Sequence, residues 1–364
     1  MLLHTSRRLT VAIFVAALVG ATVMSLPATA AHSGRGAPWG VKLVTTGGFS
    51  NLTFGGGNLY AIRDGTWIVR ISPSTGKLVA SSRVVPGAVS LVYVAGSLWA
   101  TGDTVLPSKG AGLPMLEELN SVSLVKEKEV VYRSAWKPIF FNGPRGQLWG
   151  YGGWVKSPVC TVRRIDPASG ATLVEYRLPR GTDECAGVAF DTAWRDLYVV
   201  TGGGGGNLAL YKLDGRSGAI LGHAALPSFS YFVSIVATPD RIWIAGGDPG
   251  APGALLYLTT RLHLLAKSPS VGNGPVPGVS LLPDFSQFAT VAYSGGRVWV
   301  ASDGTVACFA PSSRVVLALY LQHHAPLVTD PLVVAGRADW ADSSNGNPPP
   351  SGLVRVTPPA ACHR

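Results

Sequence analysis

Charged residues are scarce in this 364-residue sequence, at 14%, whereas 47% of the residues are hydrophobic. This balance excludes an intrinsically disordered chain, which needs high charge and low hydrophobicity. Lysine and arginine are scattered along the sequence and form no basic stripe, although the formal net charge is +10. We therefore expect a mildly cationic surface and no nucleic-acid partner.

Motifs of familiar catalytic and metal sites are also missing. The sequence contains no CxxC pair, the usual basis of a zinc or thioredoxin-like site, and no GxSxG nucleophile elbow. The glycine run at 202–206 lacks the Gly-Lys-Ser/Thr ending of a phosphate-binding loop, so it predicts a hairpin loop. The sequence thus names no catalytic residue, no metal ligand and no cofactor.

The first thirty or so residues have the pattern of a secretory signal peptide. Arg7 and Arg8 form a basic start, residues 11–24 are apolar, and Ala28 to Ala30 offer small residues for cleavage. The apolar run is shorter than the ~20 residues that span a membrane as a helix. We predict a signal peptide at 1–31, a single domain at 32–364, and a secreted or extracytoplasmic protein without a membrane span after cleavage. Arg7-Arg8 only partly matches a twin-arginine signal, so the general secretory route is favoured.

Four cysteines, an even number in an exported chain, favour disulfide bonds. Cys160 and Cys185 fall in neighbouring repeats of the kind described next, and Cys308 and Cys362 lie toward the end of the chain. Of the three possible connectivities, we favour Cys160 with Cys185 and Cys308 with Cys362.

A pair made of an aliphatic residue and an aromatic one recurs along the chain at intervals of 39 to 56 residues. Periods of this length are typical of β-propellers, in which each repeat forms one blade of a ring. We therefore predict an all-β, seven-bladed β-propeller with four-stranded antiparallel blades. The pairs, the last of them degenerate, are Leu59-Tyr60, Leu98-Trp99, Leu148-Trp149, Leu197-Tyr198, Ile242-Trp243, Val298-Trp299 and Asp339-Trp340.

Each repeat predicts four strands, which we call A to D. A short apolar segment gives strand A, the aromatic pair marks strand B, and a turn such as Asp64-Gly65 leads to strand C. A turn such as Asp166 to Gly170, with proline early and glycine late, leads to strand D. The last repeat stops after strand C. The segment 40–45 reads as a strand D without a repeat of its own, so we expect it to complete the last blade and close the ring.

The segment from Leu148-Trp149 to the turn Asp166-Pro167-Ala168-Ser169-Gly170 resembles the exported bacterial propellers of the YVTN-repeat and pyrroloquinoline-quinone-like repeat superfamily. The resemblance covers nearly the whole mature chain. It implies a propeller fold, and such families include surface proteins, assembly scaffolds, quinoprotein enzymes and lyases. The repeated tryptophan-docking pattern of the quinone dehydrogenases is absent from this sequence.

The longest connections are of the B–C and D–A kinds, which emerge on one face of a propeller. Those of the B–C kind are 102–114, 150–158, 246–253 and 343–352, and those of the D–A kind are 136–146, 227–232 and 268–288. They carry aromatic and acidic residues that could contact a ligand, although the aromatics could instead fill the channel and cap the strands. The candidate ligand-binding residues are Trp136, Phe140, Trp154, Tyr231, Phe232, Asp284, Phe285 and Asp330.

Two hypotheses for function follow. The first is a secreted, monomeric ligand- or protein-binding module whose partner is an extracellular glycan, peptide or protein. The alternative is a propeller enzyme, a lyase or hydrolase, in which His323 and His324 meet carboxylates at the channel mouth. An acidic ring of Asp64, Asp103 and Asp303 could also hold a cation, but their positions favour a role in turns.

Overall fold

Antiparallel β-sheet makes up most of the described part of the chain. The computed structural model describes residues 39–65, 67–83, 90–103, 114–131, 138–154, 157–179, 182, 184–202, 208–227, 232–248, 251–267, 280–281, 289–302, 305–313, 316–321, 333–335, 338–343 and 352–362. These residues belong to one compact unit, Gly36–Arg364. Within these ranges, no helix is long and apolar enough to cross a membrane.

The strands are short and follow one another closely. Two single-turn 3-10 helices, Pro144–Gly146 and Ala360–Cys362, accompany them. In chain order the strands are β1 (Gly40–Thr46), β2 (Phe49–Gly55), β3 (Asn58–Arg63), β4 (Trp67–Ile71), β5 (Leu78–Arg83), β6 (Ser90–Val94), β7 (Ser97–Asp103), β8 (Pro114–Leu119), β9 (Lys126–Val131), β10 (Ile139–Asn142), β11 (Leu148–Trp154), β12 (Ser157–Ile165), β13 (Thr172–Arg177), β14 (Cys185–Phe190), β15 (Asp196–Thr201), β16 (Ala209–Asp214), β17 (Ile220–Ala225), β18 (Phe232–Ala237), β19 (Arg241–Asp248), β20 (Ala251–Thr259), β21 (Leu264–Lys267), β22 (Ser280–Leu281), β23 (Ala289–Ser294), β24 (Arg297–Ser302), β25 (Thr305–Phe309), β26 (Val316–Leu321), β27 (Val333–Ala335), β28 (Ala338–Ser343) and β29 (Gly352–Thr357).

Most sheets are built from consecutive strands. Sheet 1 has the order β2-β3-β4-β5, sheet 2 β6-β7-β8-β9, sheet 3 β10-β11-β12-β13, sheet 4 β14-β15-β16-β17, sheet 5 β18-β19-β20-β21-β22 and sheet 6 β23-β24-β25-β26. A further sheet, here called the composite sheet, has the order β1-β29-β28-β27. In it the strand nearest the N-terminus pairs antiparallel with the last strand of the chain, and Val41 lies opposite Val356.

The recurring aromatic pairs lie in the second strand of every sheet, as the sequence predicts. In sheets 1 to 6 the aromatic member is almost completely buried. Each is the second or third residue of strand B, and burial of such a large side chain contributes about 1.5–3 kcal/mol to folding. The repeat is therefore a repeat of buried aromatic residues at the beginning of strand B. These aromatics are Tyr60, Trp99, Trp149, Tyr198, Trp243 and Trp299.

The hydrophobic core is divided into clusters, each of which lies between two successive sheets. One cluster joins sheet 1 to sheet 2, and others join each later sheet to the next, up to the contact between sheet 6 and the composite sheet. A last cluster brings Leu353 of β29 together with Phe49 and Val69 of sheet 1. Face-to-face packing in this cyclic order is the architecture of a β-propeller.

Polar contacts repeat the same pattern at the C–D turns, which lie at the opposite end of each sheet from the B–C turns. In six places a side chain of one sheet donates a hydrogen bond to a backbone carbonyl in the C–D turn of the next sheet. The composite sheet has no such turn, because its outer strand comes from the other end of the chain. The contacts are Tyr60 Oη to Ser121 at 2.8 Å, Lys128 Nζ to Pro167 at 3.2 Å, Tyr176 Oη to Arg216 at 2.9 Å, Lys212 Nζ to Thr260 at 3.4 Å, Tyr257 Oη to Ser312 at 2.7 Å and Arg355 Nη1 to Ser74 at 3.3 Å.

Both predicted disulfide bonds are present. Cys160 of β12 is bonded to Cys185 of β14 and so joins sheets 3 and 4. Cys308 of β25 is bonded to Cys362, in the 3-10 turn that follows β29, and so joins sheet 6 to the end of the chain. The first bond connects two neighbouring sheets, and the second connects sheet 6 to the turn that follows the composite sheet's strand β29.

The structure corrects three details of the sequence analysis. Two predicted B–C loops, 150–158 and 246–253, are largely strand, because Trp154 pairs with Ser157 and Asp248 pairs with Ala251. Each hairpin has a register shift after a glycine, and its strands stay paired as far as residues 154 and 248. The predicted connection 136–146 contains strand β10. Sheet 5 gains a fifth strand, β22, which pairs in parallel with β21.

Candidate functional site

In sheet 1, the D–A connection and the B–C turn meet at one edge of the sheet. The connection that leads from β1 into β2 is Gly47-Gly48, and the turn between β3 and β4 begins with Asp64. The backbone N–H of Asp64 donates to the Gly48 carbonyl at 2.7 Å, and the Gly48 N–H donates to Asp64 Oδ1 at 2.9 Å. The two kinds of connection that the sequence analysis assigns to one face therefore share hydrogen bonds here.

Asp64 acts as a turn residue in this arrangement. Its φ of 51° places it in the left-handed region, which aspartate tolerates because its side chain can bond the nearby backbone. This geometry supports the turn interpretation of the Asp-Gly pairs over an acidic ring. The side chain of Asp103 and the whole of Asp303 lie outside the described residues.

An ion pair accompanies this turn. Arg63 Nε lies 3.3 Å from Asp64 Oδ2, and the Arg63 guanidinium lies 5.9 Å from the centre of the Phe49 ring. Both charged side chains are partly exposed to solvent. A Cβ atom on Gly47 would lie 3.1 Å from Arg63 Nε, and the φ of Gly47 is 128°, so glycine leaves the space that the arginine occupies.

Phe140, one of the predicted ligand-binding residues, lies in strand β10 and not in a loop. Its side chain is only 4% exposed and packs with Val92 and Leu148 between sheets 2 and 3. The ring contributes to packing between sheets 2 and 3. The short apolar run Ile139-Phe140-Phe141 is the signal that could have identified the strand.

The other predicted site residues are only partly within the described chain. The backbone of Trp154 ends β11 and that of Phe232 begins β18, so both lie at the edge where B–C and D–A connections leave their sheets. The remaining candidates, and the histidine pair of the enzyme hypothesis, lie outside the described residues: Trp136, Tyr231, Asp284, Phe285, Asp330, His323 and His324.

Buried titratable side chains near this edge were not found by sequence reasoning. Burial raises the pKa of Tyr151 in β11 to about 12, so its phenol is neutral at physiological pH. Lys267, at the end of β21, is 4% exposed, and burial lowers the pKa of its amine. In both cases the cause is loss of hydration of the charged form. Over the described ranges, no group of three or more His, Cys, Asp or Glu residues is arranged to hold a metal ion.

Comparisons with known proteins identify the fold. No protein-family model matches the sequence, and no curated protein matches it. Among solved structures, the chain resembles BamB from Moraxella catarrhalis, with a TM-score of 0.51, 13% sequence identity and coverage of 85% of this chain and 84% of that one. It also resembles the β-propeller domain of Cps50 (Swd1) from Myceliophteria thermophila, with a TM-score of 0.55, 12% identity and coverage of 88% and 99%. At these identities the likeness shows the fold alone, and the chain is an all-β propeller with four-stranded antiparallel blades.

Proposed function

We propose that this protein is an exported binding module that holds its partner at the edge formed by the B–C turns and D–A connections. One observation carries the proposal: at the opposite edge, the C–D turn carbonyls already accept hydrogen bonds from the preceding sheet. Examples are Ser121, bonded by Tyr60, and Ser312, bonded by Tyr257. Carbonyl groups that already accept a hydrogen bond within the ring are less available to accept one from a partner.

We also propose that the six consecutive sheets and the composite sheet form one closed ring of seven blades. The pairing of β1 with β29, the packing of Leu353 against sheet 1 and the Arg355 contact to Ser74 support this closure. Pairing with β1 covers the side of β29 that would otherwise be a free outer edge. A closed ring also holds the loop-bearing edge rigid, which lowers the entropic cost of binding.

The proposed partner is an extracellular glycan, peptide or protein, bound by a monomer after removal of the signal peptide at 1–31. An extracytoplasmic location is supported by the two disulfide bonds, which form and persist in oxidising compartments. The aromatic residues at positions 136, 154, 231, 232 and 285 would supply large rigid contacts of the kind that dominate binding energy. Membership of the YVTN-repeat and quinone-like repeat superfamily remains part of this proposal.

Site-specific photo-crosslinking tests the choice of edge. A photoreactive amino acid replaces Trp154 or Phe232 at the proposed edge, and Leu173 or Leu221 on the outer strands serves as the matched control, since both leucines are exposed. Cells secreting each variant are irradiated, and adducts are read as mass shifts of the purified protein. Adducts at 154 and 232 but not at 173 and 221 are expected. Equal yields at both sets, or adducts at the outer positions alone, contradict the proposal.

A further inference from the structure

A groove with a volume of about 360 Å³ lies on sheet 1 beside the B–C turn. This volume falls within the range of about 300–1,000 Å³ that is usual for small-molecule sites. The residues that line it combine a charged pair, a hydroxyl and an apolar surface that includes an indole ring. They are Arg63, Asp64, Trp67, Val69, Leu78 and Ser81.

The residues that pair across this part of sheet 1 differ from those of other sheets. Arg63 of strand B lies opposite Trp67 of strand C. The equivalent pairs, three residues after the strand B aromatic, contain a small residue in strand B and a residue smaller than tryptophan in strand C. They are Gly102 with Met115 in sheet 2, Gly152 with Thr161 in sheet 3, Thr201 with Ala209 in sheet 4, Gly246 with Ala254 in sheet 5 and Ser302 with Thr305 in sheet 6.

Trp67 is also unusual in its exposure. Its side chain is 43% exposed, whereas Met115, Thr161 and Ala254 are buried at the equivalent position. Side chains two apart in a strand lie on the same face, so Trp67 shares its face with Val69, which the composite sheet covers. Trp67 lies two residues closer to the B–C turn than Val69, beyond the surface that the composite sheet covers. A large aromatic side chain kept in contact with water is a feature that binding can explain.

The polar groups of the groove are held in place before any ligand binds. The Asp64 carboxylate accepts a hydrogen bond from the Gly48 N–H and pairs with Arg63. A guanidinium has five N–H donors, a carboxylate offers only acceptors, and the Ser81 hydroxyl can do both. Because the two charges compensate each other, the groove suits a neutral ligand rich in hydroxyl groups more than it suits an ion.

We infer that this groove binds one pyranose ring of a neutral glycan. A pyranose has a face of C–H groups that can stack on an indole, and its rim of hydroxyls both donates and accepts hydrogen bonds. In this arrangement Trp67 contacts the C–H face, while Arg63, Asp64 and Ser81 bond the hydroxyls. The inference rests on the proposed function, since the groove lies at the same edge, and it specifies the class of ligand.

The test is calorimetric titration of the mature protein with neutral tetrasaccharides of glucose, galactose, mannose and N-acetylglucosamine. We expect wild-type protein to bind at least one of them. Trp67→Ala is expected to weaken that binding about tenfold or more, which corresponds to about 1.4 kcal/mol or more, because the variant removes the aromatic surface on which the sugar stacks. Trp67→Phe keeps an aromatic surface and should bind within a few-fold of wild type.

Trp194→Ala is the matched control, because Trp194 is also exposed, at 46%, but lies in the turn between β14 and β15. It should bind the same tetrasaccharide as wild type does. Asp64→Asn tests the polar half of the groove, since asparagine also tolerates the left-handed conformation of the turn. We expect a loss of about threefold to tenfold, because the carboxylate's charge-assisted bonds to hydroxyls become neutral ones. Thermal melting of each variant verifies that it is folded.

Absence of binding to all four tetrasaccharides overturns the inference, and so does a folded Trp67→Ala variant that binds as wild type does. A proline-rich decapeptide forms a second arm: if it binds and Trp67→Ala abolishes its binding while no sugar binds, the ligand is a peptide and the glycan inference fails. If, in any of these cases, adducts still form at 154 and 232 and not at 173 and 221, the proposed function still holds and only the glycan inference fails.

Discussion

Arg355 and Ser74, which are 281 positions apart in sequence, are joined by a hydrogen bond from the Arg355 Nη1 to the Ser74 carbonyl, 3.3 Å long. This contact links the composite sheet to the C–D turn of sheet 1. Tyr257 makes the equivalent contact to Ser312 between sheets 5 and 6. The two ends of the chain are thus joined by the same kind of contact that joins neighbouring sheets elsewhere.

Replacement of Arg355 by alanine is expected to lower the free energy of unfolding by about 1 kcal/mol, the usual net contribution of one hydrogen bond. Urea denaturation followed by tryptophan fluorescence measures this change. Arg261→Ala, at an exposed arginine in the turn between β20 and β21, is the control and should leave the midpoint unchanged. An Arg355 variant as stable as the control would show that the contact does not stabilise the ring.

Loss of either disulfide bond is expected to destabilise the protein substantially. The bonded cysteines are 25 positions apart for Cys160 and Cys185 and 54 apart for Cys308 and Cys362. The chain-entropy model then predicts losses of about 3.5 and about 4 kcal/mol for the two Cys→Ala double variants. Denaturation without reductant measures both losses. Free thiols detected in the folded, oxidised protein would contradict the bonding pattern itself.

Gly218 and Gly57 provide a matched pair of glycines with nearly the same backbone conformation, φ of 74° and 75°. A Cβ at Gly218 would overlap the ring of Tyr176, whereas a Cβ at Gly57 meets nothing within 4 Å. Gly57→Ala should cost about 1–2 kcal/mol from the left-handed conformation alone. Gly218→Ala should cost about 1–3 kcal/mol more, because the Tyr176 ring must move. Equal losses in thermal melting would mean that the ring adjusts freely.

Glu117 gives the stability a dependence on pH. Its carboxyl group is buried, which raises its pKa above 4.5, although Lys126 Nζ, 3.6 Å from Oε1, opposes the shift. The folded state then binds more protons than the unfolded state, so this group's contribution to stability falls as pH rises from the unfolded pKa through the folded one. Glu117→Gln should therefore gain stability relative to wild type as pH rises above the unfolded-state pKa of the carboxyl group. Urea denaturation at a series of pH values measures this gain, and a stability difference that does not change with pH would contradict the prediction.

Regular features of the fold could be predicted from the sequence because they are local. An aromatic residue near the start of a short apolar strand B recurs in every sheet, and turns such as Asp64-Gly65 and Asp166 to Gly170 mark the ends of strands in several of them. Cysteines in neighbouring repeats could be paired for the same reason, since neighbouring repeats are neighbours in space. The same reasoning failed at 150–158 and 246–253. Glycine and proline predicted loops there, but the chain forms longer hairpins.

The burial or exposure of individual aromatic residues could not be predicted. The exposure of Trp67 depends on where the composite sheet stops covering sheet 1, and the burial of Phe140 depends on how sheet 2 packs against sheet 3. Neither the exposure of Trp67 nor the burial of Phe140 can be predicted from the residues next to them in sequence. The sequence predicts Phe140 in a D–A connection, whereas it lies in strand β10.

The sequence by itself determined that this chain folds as repeated four-stranded units with buried aromatic centres, because strand and turn formation depend on residues close together in the chain. Only the tertiary structure decided which aromatics are buried and which are exposed, in which register β1 pairs with β29, and that an arginine, an aspartate and an indole share one groove. Those relationships arise from the packing of one sheet against the next, and packing depends on residues that are distant in sequence and close only in the folded ring.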